Sequence, residues 1–281
     1  MTRFLSQALA GGLVAVLLAM PLTGTAQAEP LTSAQALAER LADRPASEGR
    51  VGHMHFRLTN ARGRVRERTA LLIHSEAEDA VRIAIQFEAP AAIRNTGFLS
   101  HDFEQASDRN WLYVPVTRRV RRIPTADRGD PFMGTDLSYG DVKGDFKFDL
   151  EDWRFEQPAA PLAADTDLLP LAGTAQSDAI AEELGYQRFE AAVDPKTLFP
   201  VKTIYYDRND KPLKSLEIHE QALVGDVWTA MHFTVRNLQT GHETDVRLSD
   251  MRYVPSLDSF YLSEQSLEEG TAQLDDLVDG G

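Results

Sequence analysis

The chain has no cysteine. Thiol nucleophiles, thiolate metal sites and disulfide staples are excluded, so stability must come from the core alone. A lipid anchor on a mature N-terminal cysteine is excluded for the same reason. After residue 28 no apolar run approaches the roughly 20 residues that cross a bilayer. Familiar catalytic signatures are also missing: there is no Gly-x-Ser-x-Gly, His-Glu-x-x-His, Gly-x-Gly-x-x-Gly or P-loop. Basic residues are outnumbered, with 29 Lys+Arg against 43 Asp+Glu and a formal net charge of −14. Such a balance repels nucleic acid and anionic membrane surfaces in bulk. The composition calls for no cofactor and no metal, and the expected product is a monomer that does not span a membrane.

What is present begins with an export signal. Arg3 precedes an apolar run from Ala8 to Met20, Pro21 ends it, and Ala26-Gln27-Ala28 offers a small-x-small cleavage site. Residues 1–28 are therefore expected to be a cleavable signal peptide. The mature protein is expected to start at Glu29, outside the cytoplasm, and residues 29–281 are expected to form a single domain.

The mature chain opens on a helix. Thr32 and Gln35 have capping-box spacing, Ala34, Leu37, Ala38 and Leu41 share one helical face, and Pro45 stops the run. Strand patterns follow. Gly52, Met54, Phe56 and Leu58 alternate with His53, His55 and Arg57. Val81, Ile83, Ile85 and Phe87 alternate with Arg82, Ala84, Gln86 and Glu88. Val65–His74, Ile93–Phe103 and Trp111–Val116 read as further strands, and five hairpin-spaced strands fill Tyr186–Tyr253. The stretch Thr117–Asp152 is a basic cluster and then a Gly- and Asp-rich loop, and Gln157–Asp178 reads as a long connection. Thr271–Val278 reads as a short terminal helix. About ten antiparallel strands with few helices form a sheet that must close or curl, and the front helix can cover its open face.

Three features bear on chemistry. His53 and His55 share one face of a strand; such a pair either shares a metal ion or points to solvent, and neither a third His nor an acid is near in sequence. Arg118, Arg119, Arg121 and Arg122 make a local positive patch, which either binds an anionic head group or partner surface or guards an edge strand. Phe132-Met133-Gly134 places bulky apolar side chains in a loop, as a ligand mouth, a partner contact or a plug on the core.

The string Trp111-Leu112-Tyr113-Val114-Pro115, with Arg118–Arg122 and Phe132-Met133-Gly134-Thr135-Asp136-Leu137-Ser138-Tyr139, resembles the LolA-like outer membrane lipoprotein-sorting protein family of Gram-negative bacteria. Leu198-Phe199-Pro200-Val201-Lys202 and the segment from Glu217 to His242 are similar to the same family. The resemblance implies an incomplete, strongly curved antiparallel β-barrel with helices across its open side. It implies an apolar cavity, which in the LolA and LolB carriers holds acyl chains, and an association of this branch with RND/MMPL-type exporters. It brings no catalytic residues. Phe56, Phe87, Phe98, Trp111, Tyr113, Phe132 and Met133 are the candidate cavity wall, with plain core as the alternative for each. Three roles follow: a soluble periplasmic carrier of a lipid or lipoprotein acyl chain, a non-enzymatic exporter subunit docking through the arginines, or an envelope enzyme using carboxylates such as Asp136 and Asp141.

Overall fold

The computed structural model describes residues 33–45, 48–77, 80–103, 107–124, 128–163, 167–271 and 277. The expected signal segment Met1–Ala28 and the expected capping residue Thr32 lie outside them. Helix α1 (Ala34–Ala42) starts instead at Ser33, whose hydroxyl accepts from the Ala36 amide at 3.1 Å. It buries Ala34, Leu37, Ala38 and Leu41, the face expected from their spacing.

Thirteen strands form one antiparallel sheet. They are β1 (Gly49–Thr59), β2 (Val65–Ala77), β3 (Ala80–Ala89), β4 (Gly97–Phe103), β5 (Arg109–Val114), β6 (Arg119–Ile123), β7 (Trp153–Glu156), β8 (Leu169–Ala175), β9 (Arg188–Val193), β10 (Pro200–Tyr206), β11 (Pro212–Val224), β12 (Val227–Asn237) and β13 (Glu243–Val254). Two of them, β7 and β8, were not expected. The arginine cluster is itself strand β6 at one edge of the sheet, the edge strand that was one of its two readings. The short β7 lies between the expected loop and the expected long connection, in four residues assigned to no element, and β8 lies inside the long connection because its Pro, Ala and Gly content is poor in strand formers. Helix α2 (Tyr139–Gly144), helix α3 (Asp178–Leu184) and helix α4 (Glu264–Glu269) complete the chain. The last lies earlier than the expected Thr271–Val278, most of which falls outside the described residues.

The spatial order is β6-β5-β4-β3-β2-β1-β13-β12-β11-β10-β9-β8-β7. Every neighbouring pair but one is a sequence neighbour; β1 pairs with β13 and joins the two halves. The sheet does not close, and its two edges, β6 and β7, are consecutive in the chain. The expected fold, mainly β and an incomplete curved barrel, is thus the observed one.

Cross-strand partners share a face, so the register assigns the core. Leu72, Ile85, Phe98, Leu112 and Arg121 form one row across β2–β6. This is the inner face, where Met54, Phe56, Phe87 and Phe233 also pack. Leu216, Thr203, Ala191 and Leu171 continue the same face across β11–β8, under α1. The opposite face carries Ile73, Ala84, Leu99 and Trp111, covered by the turn Ser259–Leu262 and by α4. Here Gly97 lets Leu267 of α4 press on the sheet, for a Cβ would lie 2.7 Å from the Leu267 side chain.

Candidate functional site

Because β6 and β7 sit on opposite edges, the chain between them must cross the opening, and residues 124 and 128–152 are the described part of that crossing. This crossover is the lid. Its first part turns at Phe132–Gly134, where Met133 and Gly134 adopt left-handed backbone (φ 50° and 74°). The Thr135 hydroxyl holds the turn by donating to the Phe132 carbonyl at 2.7 Å. Phe132 is fully buried, with its ring centroid 5.5 Å from Phe98, 6.3 Å from Phe87 and 5.5 Å from Tyr139. The second part starts α2 with a capping box: the Ser138 amide donates to Asp141 at 2.6 Å, and the Asp141 amide donates to the Ser138 hydroxyl at 3.1 Å. Two left-handed residues, Asp145 and Phe146, end it. Phe146 then stacks edge-on against Phe233 at 4.9 Å.

Charged side chains at every second position fasten this lid to the sheet. Asp141 pairs with buried Lys214 of β11, beside the Tyr186 hydroxyl. Lys143 pairs with Asp108 at 2.6 Å and Asp102 at 3.2 Å. Asp145 pairs with Arg50 at 3.2 Å and with Arg44 at 3.8 Å. Lys147 reaches Glu76 at 3.6 Å. Farther back, Asp136 pairs with His242 at 2.6 Å and accepts from the Thr244 hydroxyl at 2.7 Å. Arg128 pairs with Asp152 at 3.1 Å and Glu183 at 2.7 Å.

These contacts tune the ionisation of the group. Burial opposes charge on Asp145, yet Arg50 and Arg44 hold its carboxyl well below the usual carboxylate range. Burial, and then Arg50 nearby, push His74 down to about 3, so it stays neutral beside that pair. Burial and the neighbouring Asp108 raise Asp102 to about 6, against the pull of Lys143. Burial and Asp141 raise the Tyr186 phenol well above its ordinary value, so it remains a neutral partner of Lys214.

Between lid and sheet lies a cavity of about 180 Å³. Its floor is apolar, with Met54, Leu72, Ile83, Ile85, Leu216 and Phe233, and its rim carries Arg50, Asp102, Lys143 and Asp145. A dry apolar cavity of about 150 Å³ admits a benzene-sized molecule. The space therefore takes a small apolar group as it stands and a longer one only when the lid moves.

The structure brings Phe56, Phe87, Phe98 and Phe132 together as one packed cluster on the inner face, with Met133 against it. The cavity lies beside this cluster. Trp111 and Tyr113 are on the other face of the sheet, because they pair with Leu99 and Gly97 while Phe98 pairs with Leu112. Arg118 lies in the β5–β6 turn, and Arg119, Arg121 and Arg122 lie on the edge strand, all exposed. His53 meets Glu88 at 3.6 Å and Asp250 at 3.5 Å, and His55 meets the Ser249 hydroxyl at 2.9 Å. Among the described residues no group of three or more His, Cys, Asp or Glu is placed to hold a metal. Asp136 and Asp141 each hold different structural partners, which leaves neither facing the other as an acid–base pair. The fasteners themselves escaped the sequence reading. Their signal was legible: Asp141, Lys143, Asp145, Lys147 and Asp149 alternate in sign at every second residue.

An unclosed antiparallel barrel with a helix and a crossover lying over an inner apolar cavity is the LolA-like lipoprotein-sorting architecture. A family profile described only as "Uncharacterized protein" matches residues 79–269, well over half of the chain, and the chain belongs to that family. Among solved structures it is similar to a "putative outer membrane lipoprotein-sorting protein domain" from Vibrio parahaemolyticus, at 26% identity and TM-score 0.74, covering 83% of this chain and 97% of that one. It is similar to a DUF1329 family protein from Desulfovibrio piger at 23% identity and TM-score 0.74, with 83% and 97% covered. A LolA superfamily protein from Nitrosomonas europaea shares the fold at 14% identity and TM-score 0.63, with 83% and 99% covered. No curated protein matches the chain. The resemblance read from residues 111–139 is thereby borne out, and so is the fold it implied. Among the described residues no helix is long and apolar enough to cross a membrane.

Proposed function

We propose that the protein is a non-enzymatic periplasmic carrier, a single domain from residue 29 onward that holds a lipid or lipoprotein acyl chain between its sheet and its crossover. One observation carries this reading: an apolar floor roofed by a lid whose α2 segment is fastened through ion pairs as well as through the apolar contacts of Phe132 and Phe146. Polar fasteners exchange with water when they open, whereas an entering chain gains roughly 0.8 kcal/mol per methylene. About ten methylenes thus supply roughly 8 kcal/mol toward opening the lid and widening the cavity. The aromatic cluster Phe56, Phe87, Phe98 and Phe132 stands where the chain widens the space, and Arg119 and Arg121 stand at the inner edge for a head group.

Mass spectrometry of the natively purified protein is expected to find bound lipid, and a fluorescent fatty-acid probe is expected to bind. Ala230 borders the cavity, so Ala230→Phe should fill it and cut probe affinity at least tenfold. Absence of both lipid and probe binding in the unmodified protein refutes the carrier reading. It would favour a second one, an accessory subunit of an RND/MMPL-type exporter, which the side-chain-filled half of the interior supports.

A further inference from the structure

In the β1–β6 half of the sheet, basic residues gather at one end of the strands. The hairpins β1–β2 and β5–β6 and the loop β3–β4 all fall at one end, because Thr59 pairs with Val65, Gln86 with Gly97, and Val114 with Arg119. The three segments 59–68, 87–97 and 112–121 hold eight arginines and two carboxylates, in a chain whose acids exceed its bases. Both of those carboxylates are engaged, Glu67 with Arg57 at 3.0 Å and Glu88 with His53 at 3.6 Å. Arg62, Arg64, Arg66, Arg94, Arg118 and Arg119 are exposed, and none forms an ion pair with a described residue. Arginines elsewhere do find acids, as Arg188 does with Glu190 and Arg236 with Glu243. Scarcity of acid therefore does not explain the unpaired set.

Apolar side chains stand among them. Val116, in the β5–β6 turn, is 91% exposed, the most exposed large apolar residue described, and Val65 in the β1–β2 hairpin is 38% exposed. The β1–β2 turn is braced by its own side chain, since Asn60 accepts from the Arg62 and Arg64 amides at 3.0 Å each. Basic tips spread over three separate turns, two of them with an exposed valine, suit a broad anionic surface with an apolar interior better than one acidic peptide, which would track a single strand.

We infer that this arginine-rich end is a docking surface for an anionic phospholipid membrane. The molecule's net charge opposes the approach at long range, but beyond about 10 Å salt screens that repulsion at 0.1 M, and the local field of the basic end decides the contact. Each arginine at an anionic lipid surface strengthens partitioning roughly fivefold. This inference does not depend on the cavity being occupied.

The test is co-flotation of the purified protein with extruded vesicles, either phosphatidylcholine alone or phosphatidylcholine with phosphatidylglycerol at 7:3. At least tenfold stronger partitioning to the anionic vesicles is expected, falling as salt rises from 50 to 300 mM. Arg62→Gln/Arg64→Gln/Arg118→Gln/Arg119→Gln, with unchanged circular dichroism, should lose more than tenfold. Val116→Asp alone should lose severalfold. If the quadruple variant misfolds, hydrogen exchange on the wild-type protein decides: vesicles should protect residues 59–66 and 114–119. Equal partitioning to both vesicle types, quadruple-variant binding like wild type, or protection elsewhere overturns the inference. A poly-Glu peptide that protects these turns where vesicles do not also overturns it, in favour of an acidic protein partner.

Discussion

Asp145→Asn isolates the charge of one fastener. Asn has nearly the same size, tolerates the left-handed backbone found at this position (φ 44°) and keeps an acceptor for Arg50. What it removes is the negative charge beside two guanidinium groups, Arg44 at 5% and Arg50 at 8% exposure. Breaking a buried pair costs about 3–5 kcal/mol. The Asp145 side chain is 30% exposed and one acceptor survives, so a loss of about 2 kcal/mol is expected. For a domain of this size that lowers Tm by roughly 4–8 °C. The depressed carboxyl contributes stability above its unfolded value near 4, and that contribution drains away as pH falls toward its lower folded value. Urea titrations should therefore show the full gap between wild type and variant at pH 7 and a smaller one at pH 3. Asp149→Asn, at an exposed carboxylate in the same run, is the control and should change little. A loss below about 0.5 kcal/mol at pH 7, or a gap that does not narrow in acid, refutes the account of how the lid is held. With the lid loosened, association of a fatty-acid probe should also quicken in stopped flow.

Phe132→Ala removes a fully buried ring and should cost about 3–5 kcal/mol. Under the carrier reading it should also strengthen probe binding by enlarging the inner space, which paired urea and fluorescence titrations would show. Asp102→Asn should raise Tm at pH 8, raise it less at pH 5 and change it little at pH 3. The folded value of about 6 lies above the unfolded value near 4, so ionisation weakens the fold progressively as pH climbs from about 4 to about 6, while below that window the carboxyl is protonated in both states.

Local chemistry determined much of this molecule. Period-two alternation placed Met54, Phe56 and Leu58 on one face of β1, and the 3.6-residue period placed Leu37 and Leu41 on the buried stripe of α1. Alternation cannot say which side of a curled sheet is inner, and so the aromatic set was divided by register alone: Phe98 inward, Trp111 and Tyr113 outward. Nor could it show that Arg119–Ile123 is an edge, since an edge is defined by a neighbour that is absent. Net charge is a sum, and a sum hides where charges sit: an acidic chain carries a basic patch because three turns of the β1–β6 half fall together at one end of the strands. The lid depends on contacts of still longer range, Arg50 with Asp145 and Asp141 with Lys214. Residue type made each of these pairs possible, but only the curling of the sheet beneath its own crossover brought the partners within reach.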